Sequence, residues 1–443
     1  MAGISAFTAR DIVDATGGTR SGADFTAWDV STDTRSLKAG DLFVALDGEH
    51  FRGADFLAQA EAAGAVAAVV SEKSASALPQ IVVADTRVAL GQIARWRRRQ
   101  SRATVFAMTG SNGKTTTKEI LAAILARAGE TLYTQGNLNN DIGVPLTLLR
   151  LRDAHRYAVI EMGANHLGEI DYLAKLALPD VAVITNVAPA HLEGFGDFAG
   201  VISAKTEIYA ASEGAVAVNL DTPASDAWLA LTSGRKRLTF SMQNDNADCH
   251  AAMLDAKRFR LTVQGQSAEI AWQLVGAHNV MNALAACASA LLGGIDFATV
   301  CAALDGFNVA NSRLTALAVG SHTVYDDTYN ANPASFKAGI AVLRQPALVI
   351  AGKMAELGAD SAALHTEVAA FAREQGVGEF WAVGEHADDY AAGFPGLRSF
   401  ADAQSAGSAL REWLAAHQGG QVLVKGSRSA AMENVLHAAG LKT

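Results

Sequence analysis

Short apolar runs recur along this chain, and most of them end on a glycine, an asparagine or a carboxylate. Alanine-rich stretches at helical spacing fill the intervals between them. DLFVAL (41–46), VAAVVS (66–71) and IVVA (81–84) have the length and apolar continuity of buried strands. FLAQAEAAG (56–64), between the first two, has a helical pattern that Gly64 stops. ATVFAM (103–108), YAVIEMG (157–163), DVAVITNV (180–187) and AVAVNLD (215–221) read as further strands. KTTTKEILAAILARAG (114–129) reads as a helix with Ile120, Leu121, Ile124 and Leu125 on one face. Beyond residue 313 the alternation resumes with TVYDD (323–327), ALVIAG (347–352), EFWAVG (379–384) and QVLVKG (421–426).

Strands alternating with helices predict parallel sheets. The expected fold class is α/β in three domains: a small N-terminal α/β domain over 1–85, a central P-loop ATPase-like parallel-sheet domain over 86–312, and a C-terminal Rossmann-like domain over 313–443. A length of 443 residues supports two or three such units. The run RWRRRQSR (95–102) reads as the solvated end of a helix, since the formal net charge of the chain is -9.

Composition narrows the function classes. The chain is 50% hydrophobic and 18% charged, as a globular protein is. Its acidic balance argues against a nucleic-acid partner. Cys249, Cys287 and Cys301 have no CxxC spacing, and the last two read as small buried residues in alanine-rich stretches. Neither a basic-then-apolar leader nor an 18-residue apolar run is visible, so a cytoplasmic chain with no membrane span is expected.

The chemistry begins at TGSNGKTTT (109–117), a strand, a glycine loop, a lysine and a helix in succession. Gly110, Ser111, Asn112 and Gly113 can bring backbone N–H groups to phosphates. Lys114 can reach the β and γ oxygens, and Thr115 and Thr116 open the helix. The general GxxxxGK[ST] spacing has a glycine where this chain has Met108, so the loop is a shortened GxxGKT form. Glu161, Asn186 and His191 follow strands at the edge where parallel sheets bind ligands. Glu161 suits Mg²⁺ or, as a lone carboxylate, an ion pair; His191 alone reads as structural. Lys205, on the helical stretch FAGVISAKTEIYAA (198–211), reads by itself as a surface lysine. GAHNVMNALAACA (276–288) places Asn279 and Asn282 on one helix face, suited to a base or, for Asn279, to helix capping. VYDDTYNANPASF (324–336) concentrates Asp327, Tyr329, Asn330 and Asn332 at a strand exit, which favours binding over plain turn chemistry.

These segments, together with GNLNNDIGVPLTLL (136–149) and EMGANHLGEI (161–170), resemble in their order the Mur ligase family of peptidoglycan synthesis. STDTRSLKAGDLFVALDGEHFRGADF (31–56) resembles that family's nucleotide-sugar domain, and VKGSRSAAMENV (424–435) the end of its last domain. The resemblance implies an ATP-dependent amide ligase that works through an acyl phosphate. It implies Lys114 as the phosphate-loop lysine, and Thr115 and Glu161 as Mg²⁺ ligands. His191 then falls at a second metal, and Lys205 at a carbamylated lysine beside it. Asn279, Asn282, Arg313 and Asp327 fall at nucleotide contacts, and Ser31, Thr34 and Arg35 in the stretch that meets uridine diphosphate. Tyr329, Asn330 and Asn332, in YNANP, point to the branch that joins D-alanyl-D-alanine to UDP-N-acetylmuramoyl-tripeptide, as a monomer. The chain departs from the family at Ser312, where glycine is frequent before the hinge arginine, and at Lys353, where aspartate is common.

Other readings stay open at this point. A folylpolyglutamate synthase shares the phosphate loop but not the TDTRSLKAGDLFVAL segment. The tripeptide-forming Mur ligase shares that segment but carries a DNPR-type motif, which is missing here. A nucleotide-dependent switch shares the loop alone.

Overall fold

A computed structural model describes residues 6–48, 50–189, 192–308 and 315–441. Three large sheets organise them, with a separate two-stranded antiparallel ladder of Phe7–Thr8 and Thr26–Ala27. In the first, Thr19–Ser21, Gln80–Val82, Ala67–Val70, Leu42–Val44 and Val30–Ser31 lie side by side in that order. The strands expected at 41–46, 66–71 and 81–84 are its three central members, trimmed at their ends.

The central sheet has nine strands. Thr104–Thr109 pairs in parallel with Tyr157–Glu161 on one side and Val181–Ile184 on the other. Thr131–Tyr133 extends one edge, and Ala215–Asn219 and Arg237–Ser241 the other. Beyond them Cys249–Met253, Arg258–Val263 and Gln266–Ala271 form a meander with antiparallel pairing. The apolar alternation of those last strands is weak, and they are absent from the pattern read above. Helices Lys114–Ala126 and Ala277–Leu292 cover one face, burying Ile120, Leu121, Ile124 and Leu125 completely, as their spacing predicted. Cys249 and Cys287 are buried in the same layer, and Cys301 is half-buried.

The C-terminal sheet runs Thr315–Val319, His322–Asp327, Gly420–Lys425, Ala347–Ala351, Glu379–Val383, Arg398–Phe400. The first pair is antiparallel and the rest parallel, with helices on both faces. No described helix is long and apolar enough to cross a membrane.

The first two sheets share apolar packing. One cluster runs from Phe7, Ile12 and Leu42 through Leu90 and Ile93 of helix Thr86–Gln100 to Val105, Ile160 and Trp228. The C-terminal sheet has cores of its own on its two faces. The basic run at 95–102 departs from expectation. It ends helix Thr86–Gln100, but Arg97 and Arg98 are buried. Arg97 lies 4.0 Å over the Phe7 ring. Burial, and then the neighbouring Arg152, push its guanidinium down to about 10, so it stays charged at neutral pH. Arg98 donates to Ala177 O (2.8 Å), Leu178 O (2.9 Å) and Asp180 Oδ2 (2.9 Å). The run is thus an internal brace, which composition alone does not distinguish from a solvated helix end.

Candidate active site

The loop after Thr104–Thr109 emerges where the strand order reverses, the ligand edge of an open parallel sheet. Its two glycines have φ of 148° (Gly110) and 77° (Gly113). A Cβ on Gly110 would collide with Thr185 Oγ1, and one on Gly113 with Asn282 Oδ1. Gly113 precedes helix Lys114–Ala126, whose first N–H groups have no side-chain cap and so offer themselves to an anion. Gly113→Ala should therefore weaken ATP binding about tenfold or more, combining left-handed backbone strain with displacement of Asn282. Titration calorimetry checks this, and unaltered affinity would mean that the loop accommodates a Cβ.

The next strand exit clamps the loop. Asn112 N–H donates to Asn186 Oδ1 (3.0 Å), and Asn112 O accepts from Asn186 Nδ2 (3.0 Å) and Thr185 Oγ1 (2.6 Å). Ser111 Oγ donates to Ala188 O at 2.9 Å. Lys114 Nζ donates to Gly110 O at 2.6 Å, so the cation is held over its own loop.

Glu161 ends the neighbouring strand and is 2% exposed. Its Oε1 accepts from Asn139 Nδ2 (2.8 Å) and lies 3.4 Å from Thr115 Oγ1. Its Oε2 is buried with no hydrogen-bond partner, and Lys118 Nζ stands 4.0 Å away. A buried, under-satisfied carboxylate oxygen beside a threonine hydroxyl fits a hard divalent cation completed by phosphate oxygens. Among the described residues no three His, Cys, Asp or Glu side chains gather as a metal group.

Lys205 is not at the surface. Helix Phe198–Ala210 turns it inward, where it is 2% exposed. Its Nζ lies 5.0 Å from the centre of the Phe195 ring and 3.5 Å from Ala164 O. Burial, then the charge of Lys114, push the ammonium down to about 7, against the pull of Glu169 and Glu207. Those carboxylates are engaged: Glu207 accepts from Gly168 N and Asp171 N, and Glu169 from Asn165 N.

A cleft of about 1260 Å³ opens over the loop and is walled by the central and C-terminal units, with Asp85, Arg87 and Val88 also in its lining. Asn279 and Asn282 reach it from helix Ala277–Leu292. The helix is capped by Gly276 and not by Asn279, whose Nδ2 donates to Val275 O at 2.8 Å. Asp327, Tyr329, Asn330 and Asn332 face it from the C-terminal unit. Buried Lys425 pairs with Asp327 and donates to Asn330 O at 3.0 Å. His278 faces the same pair; burial lowers its pKa and Lys425 adds to that, against Asp327. Asn332 caps helix Pro333–Ala341, and its Nδ2 donates to Asn112 Oδ1 at 2.7 Å. That bond joins the C-terminal unit to the phosphate loop.

Ser31, Thr34 and Arg35 lie in the first unit, away from this lining. Ser31 Oγ donates to Asp33 O (3.0 Å), Thr34 Oγ1 to Gln59 Oε1 (3.3 Å), and Arg35 grips Asp33 through Nε and Nη2 (2.9 and 2.6 Å). The Arg35 guanidinium holds the Asp33 carboxyl down at about 2. His191, Ser312 and Arg313 lie outside the described residues. Lys353 forms an ion pair with Glu385 at 2.9 Å. Asn139, Thr185 and Lys425 shape the site without standing among the residues selected from the sequence. Asn186 was read from the sequence as a strand-exit polar residue; Lys425, the last residue of an apolar strand, was not.

The Mur ligase middle-domain model matches residues 108–290, the Mur ligase glutamate ligase domain model 312–428, and the Mur ligase family catalytic domain model 29–98. The chain is 42% identical to a UDP-N-acetylmuramoyl-tripeptide–D-alanyl-D-alanine ligase of Escherichia coli, over 97% of this chain and 98% of that one. Its counterpart in Haemophilus influenzae is 43% identical over 76% of this chain and 77% of its own. Among solved structures, MurF from Acinetobacter baumannii superposes with a TM-score of 0.92 at 36% identity, covering 98% of both chains. MurF of Thermotoga maritima in complex with ADP superposes at 0.82, with 26% identity over 93% of this chain and 96% of that one. With three family models in register and full-length similarity, the chain belongs to the Mur ligase family.

Proposed function

We propose that this ATP-dependent amide ligase adds D-alanyl-D-alanine to UDP-N-acetylmuramoyl-tripeptide in peptidoglycan precursor synthesis, in the cytoplasm and as a monomer. The observation that carries the reading is the meeting of the phosphate loop and the YNANP segment across one cleft, through Asn112 and Asn332. The names of the full-length relatives support the choice of substrates.

A carboxylate is a poor electrophile. Transfer of the γ-phosphoryl group of ATP to the tripeptide carboxylate gives an acyl phosphate and ADP. The dipeptide amine then attacks the acyl carbon, loses a proton, and phosphate leaves from the tetrahedral intermediate. Lys114 and the first N–H groups of its helix, which no side chain caps, neutralise charge on the phosphoryl oxygens. Thr115 and Glu161 are the residues that would hold Mg²⁺, which supplies further neutralisation of phosphate charge when bound. Asn279, Asn282, Arg313 and Asp327 are assigned to the nucleotide, and Ser31, Thr34 and Arg35 to the uridine diphosphate. The pairing with Asp33 pre-orients the Arg35 fork. Tyr329 and Asn330 line the same wall as Asn332, on the side assigned to the dipeptide branch. Closure of the C-terminal unit excludes water from the acyl phosphate.

Lys205 is assigned the carbamate, and His191 the second metal, from the family resemblance. An amine held near 7 has a substantial neutral fraction at physiological pH and so is available to add to CO₂, losing a proton as the N–C bond forms. The product is a buried anion in place of a buried cation.

The decisive measurement is phosphate release from ATP with UDP-N-acetylmuramoyl-tripeptide, with and without D-alanyl-D-alanine. Strong stimulation by the dipeptide is expected, with the amide product seen by mass spectrometry. No stimulation would sink the assignment, and stimulation by glutamate on a folate would favour the folylpolyglutamate reading.

A further inference from the structure

The C-terminal unit carries a stacked histidine pair, buried His365 on half-buried His386, that the mechanism above does not use. Strand Ala347–Ala351 ends in the loop GKMAELG (352–358), at the same sheet edge as Lys425. Gly352 N donates to Lys425 O, and Ser427 N to Lys353 O, both at 2.8 Å. The loop bends through left-handed Glu356 (φ 63°) and Gly358 (φ 60°), so it needs anchors.

His365, on helix Ser361–Glu374, is 0% exposed. Its Nε2 accepts from Met354 N at 2.9 Å, so its proton is on Nδ1, which donates to Ser361 O at 2.7 Å. Its ring stacks on His386 (centres 4.1 Å apart, 12° between planes) and meets Tyr390 edge-on at 4.9 Å. Tyr390 in turn donates to Gly352 O at 2.8 Å. Met354 and Leu357 are buried in the same core. The loop is therefore pinned at two backbone points by two buried polar rings.

The far side of the loop touches the central unit. A Cβ on Gly358 would stand 3.8 Å from Glu193 N and 3.9 Å from Glu193 Cα, and the turn Gly358–Asp360 packs on helix Leu192–Phe195. That helix ends in Phe195, whose ring lies against Lys205 Nζ. A contiguous path thus runs from His365 through the loop to Phe195 and Lys205, with a branch to Lys425 in the cleft wall.

We propose that His365 is a positioning residue for ligation: as an obligate acceptor for Met354 N–H, it sets the 352–358 loop that docks the C-terminal unit on the segment covering Lys205. The proposal rests on the ligase reading above for its activity readouts only. Protonating Nε2 would set one N–H against another and free the loop. Burial, more than the facing His386, keeps the His365 pKa below the ordinary histidine value; the Ser361 carbonyl and Asp389 oppose this. The other polar groups around it are Tyr390, on the edge of the ring, and the Lys353–Glu385 pair on the loop's rim. Because the folded pKa is lowered, the hold is complete above the ordinary histidine range and is lost as pH falls through the folded value.

Glutamine can place an acceptor where Nε2 stands and does not titrate; leucine fills the space without an acceptor. In the full-length protein, His365→Leu should lower kcat about tenfold to a hundredfold, with KM for the nucleotide sugar changed less than about threefold. His365→Gln should recover most of the rate and flatten the acid side of the pH profile, below the ordinary histidine range, relative to the parent. Hydrogen exchange, which needs no substrate, should quicken in both 352–358 and 192–195 for the leucine variant and stay at the parent rate for the glutamine one. Equal rates for leucine variant and parent, equal loss in the two variants, an unchanged acid limb in the glutamine variant, or exchange that quickens in 352–358 alone would each overturn the proposal. A parent enzyme that fails to ligate would count against the substrate assignment instead, and the exchange arm would still decide the role of His365.

Discussion

Lys114→Ala should lower ATP-dependent turnover by about 10³-fold or more while leaving nucleotide-sugar binding within about threefold. The reason is spatial. Lys114 is held by Gly110 O over the loop, on the helix that opens the cleft, and its charge has no substitute at that position once phosphates replace the carbonyl. Lys118 cannot take over, because its Nζ is 1% exposed and held by Glu119 at 3.1 Å. Ser31, Thr34 and Arg35 sit in another unit and do not touch the loop. Single-turnover phosphate release paired with binding of the labelled nucleotide sugar separates the two effects. Retained turnover would remove Lys114 from phosphoryl transfer, and parallel loss of both would point to a folding defect.

Lys205→Ala comes second in expected size, with a loss of about 10²-fold or more in ligation. Two outcomes would set it apart from ordinary loss of a buried side chain. Bicarbonate should not restore the rate, because the amine that adds CO₂ is gone. A short-chain carboxylic acid should restore part of it, because truncation vacates the space beside Phe195 and Ala164, within the field of Lys114, where the carbamate would stand. Unaltered turnover would remove the carbamate. Loss with no rescue by any carboxylate, together with a lowered melting temperature, would make Lys205 a packing residue.

The parallel sheets were legible because each buried strand is a continuous apolar run closed by a polar residue; Thr104–Thr109, Tyr157–Glu161 and Val181–Ile184 all have that form. The antiparallel strands from Cys249 to Ala271 were not, since half of their positions face solvent and Arg258, Arg260 and Glu269 interrupt the apolar run. Side-chain direction was the other gap. Nothing in RWRRRQSR distinguishes Arg97, buried over Phe7, from its exposed neighbour Arg99. Lys205 likewise reads as solvated until the helix that carries it is packed against Phe195. The site residues named from the sequence come mostly from loops after strands, where polar density betrays them. Asn139 and Lys425 act from a loop and from the last position of a strand, and only the third dimension brings them to Glu161 and Asp327.

A genetic crossover near residue 85 would sever the apolar cluster that links Phe7 and Ile12 to Trp228, because helix Thr86–Gln100 belongs to both sides of it. A crossover between 308 and 315 would separate cores that have no side chain in common. In terms of recombination the molecule is therefore a two-piece assembly despite its three large sheets. A chimaera that exchanges the piece carrying YNANP and His365 should keep both interiors intact, whereas one that exchanges the first sheet alone should lose stability through the cut in the shared core.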